Sequence, residues 1–216
     1  MVRSTRMRNL LLFLSLTIYT GVLDAQMLMM GEASEGFVLL FNGRDIDKWD
    51  GDPKLWKVER SVIVGSTEGV APLKTNSFLT YKGEQFRDFE LRFDIRLRNH
   101  NSGVQFRSEQ HPGWVVKGLQ ADAAENAWWG SIYDEGGKRG VIVNGWKDKA
   151  ERVVKAGDWN EYSIFCKGGD LRIKVNGMVT AELSGETPKE GVIALQLHAG
   201  TPMKVEFRNL RIKKLD

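Results

Sequence analysis

An all-β sandwich of two antiparallel sheets is the fold class this sequence predicts, and three observations carry that prediction. Alternating runs such as Phe89-Glu90-Leu91-Arg92-Phe93-Asp94-Ile95-Arg96-Leu97 put apolar residues on one face of a strand and charged residues on the other. Turn residues recur from Phe37 onward, among them NGRD, NHNSG and HPG, and Asn176-Gly177 is a strong signal for a type I′ hairpin. No stretch of a dozen residues shows an apolar period near 3.6. Helices should therefore be few and short, the best fragment being ADAAENAWW.

A chain of 216 residues, 42% hydrophobic and 10% aromatic, can bury an ordinary core, and one domain is the default at this size. Arg3, Arg6 and Arg8 precede an apolar run from Leu10 to Ile18, and Gly21 to Ala25 offers a small-residue cleavage point, the pattern of a secretory leader. The expected organisation is a signal peptide over 1–25, a flexible mature N-terminus over 26–35 and one β-sandwich over 36–216. The mature protein would be periplasmic or secreted. Ser15, Thr17 and Tyr19 interrupt the apolar run, which is too short for a stable membrane span. The formal charge of +3 falls to +1 without residues 1–25, which carry three Arg and one Asp, so nucleic acid is a poor partner. Cys166 is the sole cysteine, which excludes an internal disulfide. In the run YSIFCKG it reads as a small buried hydrophobe.

In chain order the expected strands are FVLLF, LWKVE with a turn at Arg60-Ser61, SVIVGS, SFLTYK, FELRFDIRLR, GVQFRS, GLQAD, IYDE and GVIV. Then come NEYSIFCK, DLRIKV, MVTAEL, VIALQLHAG and KVEFRNLRIKKL, the last with a shift of phase at Arg208-Asn209 that reads as a bulge. Period two places Gln105 with Arg107, Gln120 with Asp122, Tyr133 with Glu135, and Gln196 with His198, each pair on one face of its strand. The alternate positions Val104, Phe106, Leu119, Ala121, Ile132, Leu195 and Leu197 are apolar. If these strands are neighbours, eight polar groups converge on one surface suited to a polyol.

Outer-face residues such as Glu90, Arg92, Arg172, Lys174 and Glu206 are different in kind, long and of mixed sign as a water-facing surface should be. Each candidate also has an ordinary structural explanation. Asp122 can begin a turn, Glu135 can flank the Gly136-Gly137 hairpin, and His198 can close a strand. Trp128 and Trp129 are adjacent, so one should pack and the other be exposed. His100 and His111 sit beside turn residues and read as loop histidines.

GFVLLFNGRDIDKW, LWKVE, DFELRFDIRLRNHNSGVQFRS, GLQADAAENAWWGSIYDEGGKRGVI, DWNEYSIFCKGGDLRIKVNG and VIALQLHAGTPMKVEFRNLRIKKL together resemble the 3-keto-disaccharide hydrolase domain family. The resemblance spans about residues 36 to 215. It implies a concanavalin A-like jelly-roll and an exported enzyme that cleaves 3-keto-glycosides by removing the C2 proton, with elimination or hydrolysis following. The family's motifs fall on NSGVQFRS, LQAD, IYDE and LQLHAG, the segments that carry the eight residues above. One local departure is Val116-Lys117-Gly118-Leu119, where relatives often carry a Tyr before the QAD segment.

That chemistry needs a base at C2, a group to hold enolate charge and an acid at the leaving oxygen. Asp122, Glu135 and His198 are the catalytic candidates, with His198 the leading base. Gln105, Arg107, Gln120, Trp128, Tyr133 and Gln196 are the substrate-binding candidates, the rings offering a face for a sugar. Whether Asp122, Glu135 and His198 hold a divalent ion stays open, since none lies in a compact metal motif. The competing readings are a non-catalytic carbohydrate-binding module, a sandwich glucanase and an envelope interaction domain. The glucanase mechanism uses two carboxylates at fixed separation. It is disfavoured because Gln120-Ala121-Asp122 has no carboxylate two or four residues upstream.

Overall fold

The computed structural model describes residues 31–216 apart from Asn126. The signal peptide expected over 1–25, and residues 26–30 of the extension, lie outside the described residues. Two compact units divide the chain after Val38. In the first, Gly31 to Ser34 form a helical turn, and the Phe37 amide donates to the Glu32 carbonyl at 3.0 Å.

The strands in chain order are β1 (Val38–Leu39), β2 (Trp49–Asp50), β3 (Trp56–Glu59), β4 (Val62–Ser66), β5 (Ser77–Tyr81), β6 (Phe89–Leu97), β7 (Asn101–His111) and β8 (Val115–Ala124). They continue with β9 (Ile132–Glu135), β10 (Gly140–Val143), β11 (Asn160–Lys167), β12 (Asp170–Val175), β13 (Met178–Leu183), β14 (Val192–Leu197) and β15 (Lys204–Lys214). One antiparallel sheet runs β13-β12-β11-β6-β15-β4-β3, and the other β10-β9-β8-β7-β14-β5-β2. This is the all-β jelly-roll sandwich the sequence predicts. No helix of the described residues is long and apolar enough to cross a membrane.

The phase of each strand follows from what it buries. Phe89, Leu91, Phe93, Ile95 and Leu97 of β6 are all buried, facing Val104, Phe106, Leu119, Ala121, Ile132, Leu195 and Leu197 of the second sheet. Burying one such side chain is worth roughly 1.5–3 kcal/mol, so a one-residue slip that turned these faces outward would cost the whole set. The residues alternating with these in the second sheet are thereby committed to the opposite face. Cys166 is fully buried, and burial pushes its thiol up to about 12, as a packing residue rather than a nucleophile.

Three local features correct or sharpen the sequence reading. The charged face of β6 is half-buried rather than open to water. Arg96 forks onto Glu206 at 2.7 and 2.9 Å, Arg98 adds a 2.6 Å bond to it, and Arg208 reaches Asp94 at 2.8 Å, so pairing across strands replaces solvent. The described residues of the ADAAENAWW segment are not helical: Ala123 and Ala124 end β8, and Ala127 to Gly130 form turns. The expected hairpin and bulge are present. Asn176 and Gly177 both have positive φ, 48° and 81°, and Asn209 at φ 54° marks the register shift in β15.

Candidate active site

Strands β8, β9 and β14 present their non-core residues to one cavity of about 270 Å³. Gln120 and Asp122 come from β8, Tyr133 and Glu135 from β9, Gln196 from β14, and His198 from just beyond its end; Trp128 lies on the turn after β8. Three segments distant in sequence meet because β7 and β14 lie side by side between β8 and β5. Asn76, Asn101 and Val141 complete the lining.

A hydrogen-bonded amide chain forms the floor. Gln105 Nε2 donates to Gln120 Oε1 at 2.7 Å, and Gln120 Nε2 donates to Asp122 Oδ1 at 2.6 Å and to Gln196 Oε1 at 3.2 Å. Gln196 Nε2 then donates to Glu135 Oε2 at 3.0 Å, while Asn76 Nδ2 donates to Glu135 Oε1 at 2.9 Å. Gln105, Gln120 and Gln196 are each at most 1% exposed, so every bond broken here leaves a buried polar group unpaired at about 1–3 kcal/mol. Gly103 makes room for this chain, since a Cβ there would stand 2.7 Å from Gln120 Cγ. The side chains are thus held in fixed rotamers before any ligand arrives.

The electrostatics follow from the burial. Desolvation raises Asp122 from the usual carboxylate range to about 7, the neighbouring Glu135 adding to the rise and the Gln120 bond opposing it. Burial also raises Glu135, against the bonds from Asn76 and Gln196 and the attraction of His198. The Tyr133 hydroxyl is raised by burial and then by Glu135 and Asp122. His198 Nδ1 lies 2.7 Å from the Ala199 carbonyl oxygen. A carbonyl only accepts, so that bond places the neutral ring's proton on Nδ1 and leaves Nε2 with a free lone pair.

Seven of the eight residues paired by period two, Gln105, Gln120, Asp122, Tyr133, Glu135, Gln196 and His198, gather in this cavity or beneath it, Arg107 does not, and Trp128 joins them from a turn. Asp122, Glu135, His198, Gln120, Tyr133, Trp128 and Gln196 line the cavity, and Gln105 supports it from below. Arg107 is a correction. It sits at φ 47° in the bulge between Phe106 and Glu109, which breaks the alternation and turns its side chain into the sandwich. There its Nη2 meets Asp88 Oδ1 at 2.8 Å, Nε meets the Arg87 carbonyl at 2.6 Å, and Nη1 meets the Gly168 and Pro188 carbonyls at 2.8 and 3.0 Å. Of the tryptophans, Trp128 is exposed at the cavity and Trp129 packs against Tyr162.

Asn76, Asn101, Val141 and His100 were not legible as site residues. His100 does lie in a turn, as the sequence suggests, but half-buried: its ring meets the His198 ring edge-on at 4.8 Å, and its Nε2 lies 3.3 Å from the same Ala199 oxygen. Asn101 Oδ1 is a buried acceptor with no hydrogen-bond partner among the described residues. Among the described residues no three His, Cys, Asp or Glu side chains are grouped so as to hold one metal ion. Asp122, Glu135 and His198 share a cavity without forming a ligand set.

Comparison with known proteins places the chain in a family. Residues 36–213 match the 3-keto-alpha-glucoside-1,2-lyase-like domain, and the chain belongs to that family, a carbohydrate-active one. No match was found among curated protein sequences. Among solved structures it is similar to a protein of Parabacteroides distasonis proposed to be a glycosyl hydrolase, at 22% identity and TM-score 0.63 over 86% of this chain and 97% of that one. It is also similar in fold to the carbohydrate-binding module CBM66 of Bacillus subtilis, at 15% identity and TM-score 0.61 over 82% and 100%. A third likeness is to a Bacillus licheniformis beta-glucanase, at 10% identity and TM-score 0.58 over 83% and 99%.

Proposed function

We propose that this protein is an exported enzyme that cleaves 3-keto-glycosides. The observation that carries the reading is the meeting of His198, Asp122 and Glu135 in one sugar-sized cavity, two of them carboxyls raised by burial. In the proposed reaction His198 Nε2 takes the C2 proton, and the electron pair of that C–H bond passes into an enolate whose charge rests on the C3 oxygen. Asp122, holding its proton near neutral pH, donates a hydrogen bond to that oxygen.

Collapse of the enolate re-forms the C3 carbonyl, creates the C1=C2 bond and expels the C1 oxygen. The leaving oxygen takes a proton from Glu135. Water adding at C1, with a proton returning to C2, converts this elimination into net hydrolysis. Trp128 and Tyr133 offer rings to the sugar, and the unpartnered Asn101 Oδ1 accepts from a hydroxyl.

The test is to incubate the purified protein with a panel of 3-keto-glucosides and follow products by mass spectrometry, with and without chelator. Products from the wild type and none from His198→Ala support the reading. Sugar binding by calorimetry without turnover of any ketoside overturns it in favour of a carbohydrate-binding module. Export is a separate proposal resting on residues 1–25, and N-terminal sequencing of the secreted or periplasmic protein tests it.

A further inference from the structure

We propose that Asn76 is a positioning residue of the site: its amide ties Glu135, on one side of the concave sheet, to the turn that carries His198 on the other, and so sets the distance between acid and base. The proposal rests on the activity given above and adds what holds its two groups in place.

The register of β5 puts this residue there. Phe78 lies opposite Gln196 and Ser77 opposite Leu197, so Asn76, one residue earlier, comes level with His198 on the face that Gln196 shares. Glu135 ends β9, and β8, β7 and β14 lie between β9 and β5. In a flat sheet four strand spacings would hold those two strands about 19 Å apart. The 2.9 Å bond from Asn76 Nδ2 to Glu135 Oε1 therefore depends on the curl of the sheet, and it closes the rim of the resulting cup.

Both ends of the Asn76 amide are committed. The Ala199 amide can only donate, and it takes Asn76 Oδ1 at 2.8 Å, which leaves Nδ2 for Glu135. Ala199 in turn presents its carbonyl to His198 Nδ1 at 2.7 Å. Gln196 Nε2 holds the second Glu135 oxygen at 3.0 Å, so the plane of that carboxyl is fixed from two directions. Burial raises Glu135, and among the influences opposing the rise the Asn76 bond comes before His198 and Gln196. Asp122 of β8, Tyr133 of β9 and His198 beyond β14 are the titratable groups that share the cavity with Glu135. On its other side Arg107, Glu109, Lys117, Asp134 and Glu190 line an adjoining space with it. None of these can replace the two-ended clamp, which needs a donor and an acceptor on one short side chain.

The experiment measures kcat and KM for methyl 3-keto-glucoside, and the titration of Glu135 by carbon NMR of protein labelled at its glutamate carboxyl carbons, in the wild type, Asn76→Asp and Asn76→Leu. The Glu135 signal is the one lost in Glu135→Gln, and melting curves check folding. Asn76→Asp keeps an acceptor for the Ala199 amide and deletes the donor to Glu135, whereas Asn76→Leu deletes both bonds. In each variant kcat is expected to fall about ten- to a hundredfold, with KM changed by less than about threefold. The Glu135 titration should move up by about one pH unit, because a bond to the charged form has gone. A kcat within about twofold of wild type in both variants, or a Glu135 titration that stays in place, overturns the proposal while the activity stands. Should the wild type cleave no ketoside, the activity falls and the titration alone decides the clamp: an upward shift supports it and an unmoved one overturns it. If Asn76→Leu does not fold, Asn76→Asp carries the same two readings.

Discussion

Arg107 of β7 and Asp88, at the start of β6, join the two sheets through a 2.8 Å bond between Nη2 and Oδ1, with the arginine side chain fully buried. Three backbone carbonyls take three more of the five guanidinium hydrogens, so the charge is paired and solvated by the protein itself. Such a pair need not stabilise a fold relative to an apolar core, but removing one partner strands the other. Arg107→Ala is therefore expected to cost about 3–5 kcal/mol, and Arg107→Lys most of that, because an ammonium cannot reproduce the planar fork. Urea unfolding measures it. A loss below about 1 kcal/mol for both variants would show that the contacts have little weight.

How far the fold and site could be read from the chain depends on which residues had a period to obey. The apolar faces of β6, β8 and β14 are continuous, and burial of Phe89, Leu119 or Leu195 forces Gln120, Asp122 and Gln196 to the other side. Arg107 escapes because a bulge with positive φ is a property of the pairing between β7 and its two neighbours, not of local composition. Asn76, at the edge of β5, and His100, in a turn at φ 68°, belong to no alternating run, so nothing in their flanks points to the cavity. The half-burial of the β6 charges was hidden for a similar reason. It depends on Glu206 and Arg208 arriving from more than a hundred residues away.

Asp122 ties the site to stability. Its carboxyl rises from 3.8 to about 7 on folding, so the folded protein retains a proton that the unfolded chain releases between those values. The stability linked to that proton is complete below about pH 4 and is lost as pH rises through about 7. Asp122→Asn keeps an acceptor for Gln120 Nε2 and never ionises. At about 1.36 kcal/mol per pKa unit, the variant should gain up to about 4 kcal/mol on the wild type between pH 4 and pH 8. Melting curves at pH 5 and pH 8 give the comparison, and a difference that does not widen with pH would contradict the buried charge.

Ala199 holds both histidines. Its carbonyl lies within hydrogen-bonding distance of His198 Nδ1 and His100 Nε2, and its amide donates to Asn76 Oδ1 at 2.8 Å, which in turn anchors Glu135. His198→Ala should lower kcat by about 10²–10⁴, the usual worth of a general base. His100→Ala removes only the ring packed edge-on against it, and a loss of about tenfold or less is expected, carried by kcat rather than KM. Steady-state kinetics separates the two. An unchanged kcat for His100→Ala would reduce that residue to packing.

Tyr162, on β11 of the opposite sheet, reaches across to the site strand. Its ring stacks on Phe93 at 5.2 Å, while its hydroxyl donates to the Asp122 carbonyl at 2.6 Å and accepts from the Gly130 amide at 2.9 Å. It thus pins both the end of β8 and the turn that presents Trp128. Tyr162→Phe keeps the stack and deletes the hydroxyl, at an expected cost of about 1–2 kcal/mol. For a chain of this size that is a fall in melting temperature of roughly 2–8 °C. If the anchor also positions Trp128, KM for a ketoside should rise severalfold while kcat changes little, since the acid and base residues keep their own hydrogen bonds. An equal fall in kcat with KM unchanged would instead place the effect on Asp122.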